Sequence, residues 1–314
     1  MKPLRIGTRA SPLALWQAGH VAGRLAELHG VTPEIVRIRT TGDRLQSASL
    51  AQINSQAGSK GVFIKEIEDA LLSGAVDIAV HSMKDVPAEI PAGLAFPAVP
   101  ERADPRDCLI SREGRKFADL APQARVGTSS LRRQAQLRHH RPDLTLAEIR
   151  GNVDTRIKKA EAGEFDAVVL AHAGVSRLGL AAKITEILST EIMLPAVGQG
   201  ALGIETRADD SETIRLLFAL DHPATHSAVL AERALLRELE GGCQVPLGAW
   251  ARLENGKLLL EACVFSPDGC EFVRREISGP PRDAESLGCR LGKILIEAGA
   301  DRILRLVRHS LGPS

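Results

Sequence analysis

Two short phrases of this 314-residue chain occur twice in the same order, and they constrain its fold more than any other feature. Arg5-Ile6-Gly7-Thr8 returns as Arg125-Val126-Gly127-Thr128, each followed within three residues by a serine and a helical pattern. Gly74-Ala75-Val76-Asp77-Ile78-Ala79-Val80 returns as Gly163-Glu164-Phe165-Asp166-Ala167-Val168-Val169. The first phrase reads as a short strand and the second as a glycine-led buried strand. Their recurrence marks two similar α/β domains, each a strand–helix–strand–helix–strand unit. Such domains bind ligands in a cleft, at the carboxyl ends of their strands.

The residues between carry their own signals. Leu4 to Thr8 reads as a strand, and Ser11 followed by Pro12 opens a helix running to about Leu28. Glu34 to Thr40 is a strand, Thr41 to Ser59 a polar loop, Lys60 to Leu72 a helix and Val76 to His81 a buried strand. Five prolines between Pro87 and Pro105 suggest a crossing between domains. A second, glycine-punctuated crossing spans Met193 to Gly203, and Gly203 to Thr206 is expected to return to the first sheet. His222 to Leu239 reads as a long helix. Leu247 to Arg252, Leu258 to Phe265 and Glu271 to Ile277 read as three antiparallel strands, and Asp283 to Ala298 as a final helix. The expected domains are 1–100 completed by 200–218, then 101–199, then a small α+β domain over 219–314.

Composition narrows the function classes. Forty Lys+Arg against 39 Asp+Glu give a net charge of +1, without the concentrated basic excess of a nucleic-acid footprint. Aromatics are 3% of the chain and tyrosine is absent, so base-stacking platforms are not expected. Neither a leader-like apolar start nor a run approaching the roughly 18 apolar residues of a membrane span is present. A cytosolic monomer with no membrane or nucleic-acid partner is expected. Cys108, Cys243, Cys263, Cys270 and Cys289 form no Cys-x-x-Cys pair and no zinc spacing, so free thiols and no metal are expected. Arginine outnumbers lysine 30 to 10. That is either a general bias or a supply of guanidinium forks for carboxylates and phosphates, and only clustering separates the two.

Four stretches could carry chemistry. Thr128-Ser129-Ser130-Leu131-Arg132-Arg133 sets hydroxyls and two arginines at a helix N-terminus, either an anion site or a capped helix with solvated arginines. Ile149-Arg150-Gly151-Asn152-Val153-Asp154-Thr155-Arg156 adds two arginines at another strand-to-helix turn, and Arg9 and Arg177 extend the cluster. His81-Ser82-Met83-Lys84-Asp85 follows a buried strand, so Asp85 is either a surface ion-pair partner of Lys84 or a cleft carboxylate for proton transfer and cation stabilisation. Glu240-Gly241-Gly242-Cys243 turns tightly past a helix end, presenting Cys243 either to a ligand or to a core.

Seven segments, taken in order, resemble the porphobilinogen deaminase (hydroxymethylbilane synthase) family over nearly the whole chain. They are Thr8 to Gln17, His81 to Pro87, Asp104 to Asp107, Gly127 to Arg133, Arg150 to Arg156, Leu194 to Gly200 and Glu240 to Pro246. The resemblance implies two α/β domains like type II periplasmic binding proteins around a cleft, and a C-terminal α+β domain carrying the cysteine loop. It implies a transferase of tetrapyrrole (porphyrin and heme) biosynthesis, with a dipyrromethane cofactor joined by a thioether to Cys243. Four porphobilinogen molecules are added head-to-tail, each losing ammonia, before hydrolysis releases hydroxymethylbilane. By position, Asp85 would hold pyrrole nitrogens and stabilise the azafulvenium cation. Lys84, Ser129, Arg132, Arg133, Arg150, Arg156 and Lys60 would hold the cofactor, while Arg9, Ser11, Arg177 and Gln199 would meet the substrate. One departure is Gln52, where the family commonly has lysine, in a loop about four residues longer than usual.

Two other classes compete. A non-enzymatic two-lobed binding protein for an anion would explain the arginines but neither Asp85 with Cys243 nor the third domain. A transferase using Cys243 as a nucleophile in each turnover lacks an evident base, since His222 and His226 sit on a helix.

Overall fold

The computed structural model describes residues 3–41, 64–239 and 245–311. Contacts group them into two compact units, Met1–Arg102 with Ala201–His226, and Ala103–Gly200 with Ser227–Ser314. No helix among the described residues is long and apolar enough to cross a membrane.

The first unit is built, numbering in chain order, from β1 (Arg5–Thr8), α1 (Pro12–His29), β2 (Glu34–Arg37), α2 (Lys65–Leu72), β3 (Ile78–Ser82), β4 (Leu94–Ala98) and, far along the chain, β10 (Leu202–Arg207). The sheet order is β2-β1-β3-β10-β4, with β1 parallel to β2 and β3, and β10 antiparallel to both its neighbours. Val21 and Leu25 of α1 pack with Ile6, Ile78 and Ile204 in one cluster, while Ile67 and Leu71 of α2 join Val76 and Ala79 in another. Helix α1 has the expected start: Ser11 accepts the Ala14 N–H, and Pro12 stands at its first turn.

The proline-rich stretch is not only a crossing, because β4 lies inside it. Pro97 is tolerated there because β4 is an edge strand whose register with β10 shifts between Ile204 and Thr206. That bulge removes the need for an unbroken ladder.

The second unit repeats the layout with β5 (Asp107–Ser111), β6 (Arg125–Gly127), α3 (Leu131–His140), β7 (Thr145–Ala147), α4 (Val153–Glu161), β8 (Ala167–Ala171), α5 (His172–Arg177) and β9 (Glu186–Ile187). Its order is β7-β6-β8-β5-β9, with β6 parallel to its neighbours and β5 antiparallel to its own. The recurring phrases have a shared physical role. The Arg5 N–H donates to the Asp77 carboxylate at 2.8 Å and the Arg125 N–H to Asp166 at 2.7 Å. In return the Asp77 and Asp166 N–H groups each donate, at 2.9 Å, to the carbonyl of Arg5 and Arg125. Each aspartate thus locks the start of a third strand to the start of a first.

From Ser227 the same unit continues with the rest of a helix, α7 (Pro223–Glu238; α6 is Ser211–Leu217 of the first unit), and an antiparallel sheet of β11 (Leu247–Glu254), β12 (Lys257–Phe265) and β13 (Phe272–Gly279). Leu235 and Leu239 pack with Leu258, Leu260, Leu287 and Leu291 in one core. The final helix ends earlier than expected: α8 covers Ala284–Leu295, and a wide turn at Ile296–Ala300 precedes a further helix, α9 (Asp301–Leu311). Gly299, at φ 101°, breaks the first helix in a conformation that other residues rarely adopt.

Candidate active site

In the first unit, Arg9, Ser11, Gln17, His81, Ser82 and Asp85 line one pocket. Strand β3 and the turn after it deliver three of them. The strand's end runs into a 3-10 turn over Met83–Asp85, which is anchored by buried Met83 and by the Met83 N–H donating to the Ala201 carbonyl at 3.0 Å. Gln17 Nε2 donates to Ser82 Oγ at 2.8 Å and ties the same strand end to α1. Asp85 therefore leaves a well-held backbone as an exposed carboxylate, while Lys84 is half-buried.

In the wall of the pocket, His81 belongs to a pair that the sequence does not reveal. His81 Nε2 sits 2.9 Å from Glu205 Oε2, and both side chains are buried. Burial, together with the Glu205 charge, pushes the nearby Glu68 carboxyl up to about 6. Nothing in the sequence joins His81 to a strand 124 residues away.

In the second unit, the turn into α3 is organised as expected, since Ser130 Oγ accepts the Arg133 N–H at 3.4 Å. Ser129 Oγ donates to the Ile149 carbonyl at 2.7 Å and accepts the Ile149 N–H at 3.1 Å. Its single proton is thus spent within the chain. Arg132 and Arg133 are neither solvated nor set on an open rim. Both are buried, and both pair with the wholly buried Asp107 of β5. Arg132 Nη1 lies 2.8 Å from Asp107 Oδ2 and donates to the Leu194 carbonyl at 2.5 Å. Arg133 donates through Nε at 3.0 Å and Nη2 at 2.8 Å to Asp107 Oδ1, and through Nη1 at 3.0 Å to the Val169 carbonyl.

Gln199, also buried, donates to the same Asp107 oxygen at 3.0 Å and to the Pro105 carbonyl at 2.7 Å. Burial alone would raise the pKa of Asp107, but the two guanidinium groups and the Gln199 amide outweigh it and hold the group at about 2. Burial lowers Arg132. It also lowers Arg177, to about 10, where Nη2 donates to the Gly200 carbonyl at 2.7 Å.

Arg150 is half-buried with Glu148 at 3.7 Å, and Arg156 Nε donates to the Gly151 carbonyl at 2.7 Å. Gly151 stands at φ 112°, where an added Cβ would also press on Thr155 at 2.9 Å. Arg132 Nε and Arg150 Nη2 are buried donors with no hydrogen-bond acceptor among the described residues. Surplus guanidinium donors of this kind fit a ligand bearing several carboxylates. Lys60, Gln52 and Cys243 lie outside the described residues.

Asp107, the centre of this buried cluster, is the residue the sequence reveals least. Strand β5 carries no sequence signal linking it to arginines 25 and 26 residues on.

Comparison with known proteins covers nearly the whole chain. The family model for "Porphobilinogen deaminase, dipyromethane cofactor binding domain" matches residues 4–215, and that for "Porphobilinogen deaminase, C-terminal domain" matches residues 226–297. The chain is 54% identical to the porphobilinogen deaminase of Geobacter metallireducens, over 96% of this chain and 94% of that one. It is 51% identical to the porphobilinogen deaminase of Syntrophotalea carbinolica, over 96% and 95%. Among solved structures, an ancestral cationic amino acid solute binding protein overlaps 69% of this chain and 87% of its own, at 18% identity and a TM-score of 0.44. With an exposed aspartate past β3, buried arginines with donors to spare and half of all positions shared with full-length relatives, the chain belongs to the porphobilinogen deaminase family.

Proposed function

We propose that this chain builds hydroxymethylbilane from four porphobilinogen molecules with Asp85 as its catalytic carboxylate and Cys243 as the attachment point of its dipyrromethane. The observation that carries the reading is Asp85 itself, exposed at the end of an anchored turn in a pocket shared with Arg9 and Ser11. When bound, the dipyrromethane supplies the nucleophilic pyrrole carbon from which the product grows. Asp85 accepts hydrogen bonds from pyrrole N–H groups and stands against the positive charge that develops as ammonia departs. Arg9 and Arg177 each serve as a substrate-binding cation, and Arg177, lowered only to about 10, keeps its charge at neutral pH. Ser11 accepts a backbone N–H, so its own proton is available to a carboxylate.

Lys84, Arg132, Arg133, Arg150, Arg156 and Lys60 hold the cofactor's carboxylates, and Gln199 serves by fixing Asp107. Ser129 can donate to a carboxylate only by releasing the Ile149 carbonyl. The functional domains in this reading are residues 1–100 with 200–218, 101–199 and 219–314, in a cytosolic monomer.

Intact-mass measurement tests the reading directly. The purified protein should be heavier than its sequence by one dipyrromethane and should colour with Ehrlich's aldehyde, with the added mass mapping to the Cys243 peptide. Active protein with Cys243 unmodified would overturn it.

A further inference from the structure

Asp107 faces two guanidinium groups from within the second unit, and neither arginine side chain is more than 8% exposed. Two cations on one carboxylate leave the cluster with one positive charge in surplus. Such a charge is costly in a low-dielectric interior unless something completes it. The unpartnered Nε of Arg132 marks where completion is missing among the described residues. We propose that Asp107 is the resident counter-ion of this arginine pair, reducing its charge from two to one so that a single ligand carboxylate completes it.

The proposal rests on the reading that Arg132 and Arg133 hold the dipyrromethane. With two resident carboxylates the pair would attract no ligand. With none, two like charges would meet in the interior and oppose folding of the unloaded chain. Gln199, donating to the same oxygen as Arg133, keeps that carboxylate turned toward the pair.

The charge of the cluster can be set by substitution. Wild type carries +1, Arg133→Gln carries 0, and the double variant Asp107→Asn with Arg133→Gln returns to +1. Each is prepared as full-length, cofactor-free chain and incubated with porphobilinogen, and mass gain on Cys243 is followed over time. Arg133→Gln should load about tenfold or more slowly than wild type, as expected for loss of one charge-assisted contact. The double variant should recover to within about threefold of wild type. Citrate, a non-reacting polycarboxylate probe, should raise the melting temperature of wild type and of the double variant by similar amounts, and that of Arg133→Gln by less.

If adding Asp107→Asn leaves loading as slow as in Arg133→Gln, or the double variant does not fold, Asp107 is a structural partner only and the inference falls. If wild type itself gains no mass on Cys243, it is the underlying functional reading that fails.

Discussion

Asp85 is exposed and its backbone is anchored through Met83, so in the role proposed for it removing the carboxylate should leave the fold untouched while removing the charge set against the azafulvenium cation left as ammonia departs. Asp85→Ala should therefore lower turnover by about 10²–10³ or more with an unchanged melting curve. Retention of more than about a tenth of wild-type activity would sink the assignment. Glu68 makes a different kind of prediction. Burial and the charge of Glu205 raise it from 4.5 to about 6, so the folded state holds its proton more tightly than the unfolded chain does. That contribution to stability is full below about 4.5 and is lost as pH rises through about 6. Glu68→Gln should thus unfold at higher urea than wild type at pH 7.5 and at the same urea at pH 4, and an equal difference at both would refute it. Asp85 was legible in the sequence because it directly follows a buried strand. Asp107 and the His81–Glu205 pair were not, because each is completed by residues that only the folded sheet brings near.

At the scale of elements, the two recurring phrases invite a direct comparison. Asp77 and Asp166 accept equivalent strand N–H groups, yet Asp77 also receives the Arg5 guanidinium at 2.9 Å with Arg207 at 3.7 Å. The Arg125 guanidinium instead lies over the Phe165 ring, 4.8 Å from its centre. Both aspartate-to-alanine variants should destabilise, by about 0.5–1.5 kcal/mol for the lost hydrogen bond to the strand N–H, with Asp77→Ala the costlier because its bond is part-buried and ion-paired. Urea midpoints ranking Asp166→Ala as the worse would contradict this. Helices α1 and α7 and the strands of the third sheet were readable because each carries a cap, a proline start or regular alternation. Strand β4 was hidden by Pro97, which only an edge position with a bulge accommodates. Strand β5 was hidden because it follows five prolines, and its apolar run Cys108-Leu109-Ile110 is too short to separate strand from buried helix. The last helix was misjudged at Gly299, since a lone glycine gives no sign of whether a helix ends or resumes beyond it.

The whole molecule is stitched from units of unequal continuity. The five-stranded sheet of the second unit draws all its strands from residues 107–187, whereas the first unit's sheet waits for β10, at residues 202–207, to fill the place between β3 and β4. Chains emerge from the ribosome in order, at about 5–20 residues per second, and domains generally fold as units. The first 102 residues must therefore wait, with β3 lacking one neighbour and β4 lacking its partner, while the next hundred are made. During that interval the unpaired edge of β3, rich in Ile78, Ala79 and Val80, is a site for binding chaperones or for mispairing. Nascent chains arrested soon after residue 190 has left the tunnel should resist protease across β5–β9 and be cut within β1–β4. Arrest after residue 226 has emerged should protect both. Protection of β1–β4 at the earlier arrest would show that the first unit needs no returning strand. Otherwise the order of birth is reversed in the order of folding of the two five-stranded sheets, and the sheet whose β3 leads to Asp85 is the later of the two to take shape.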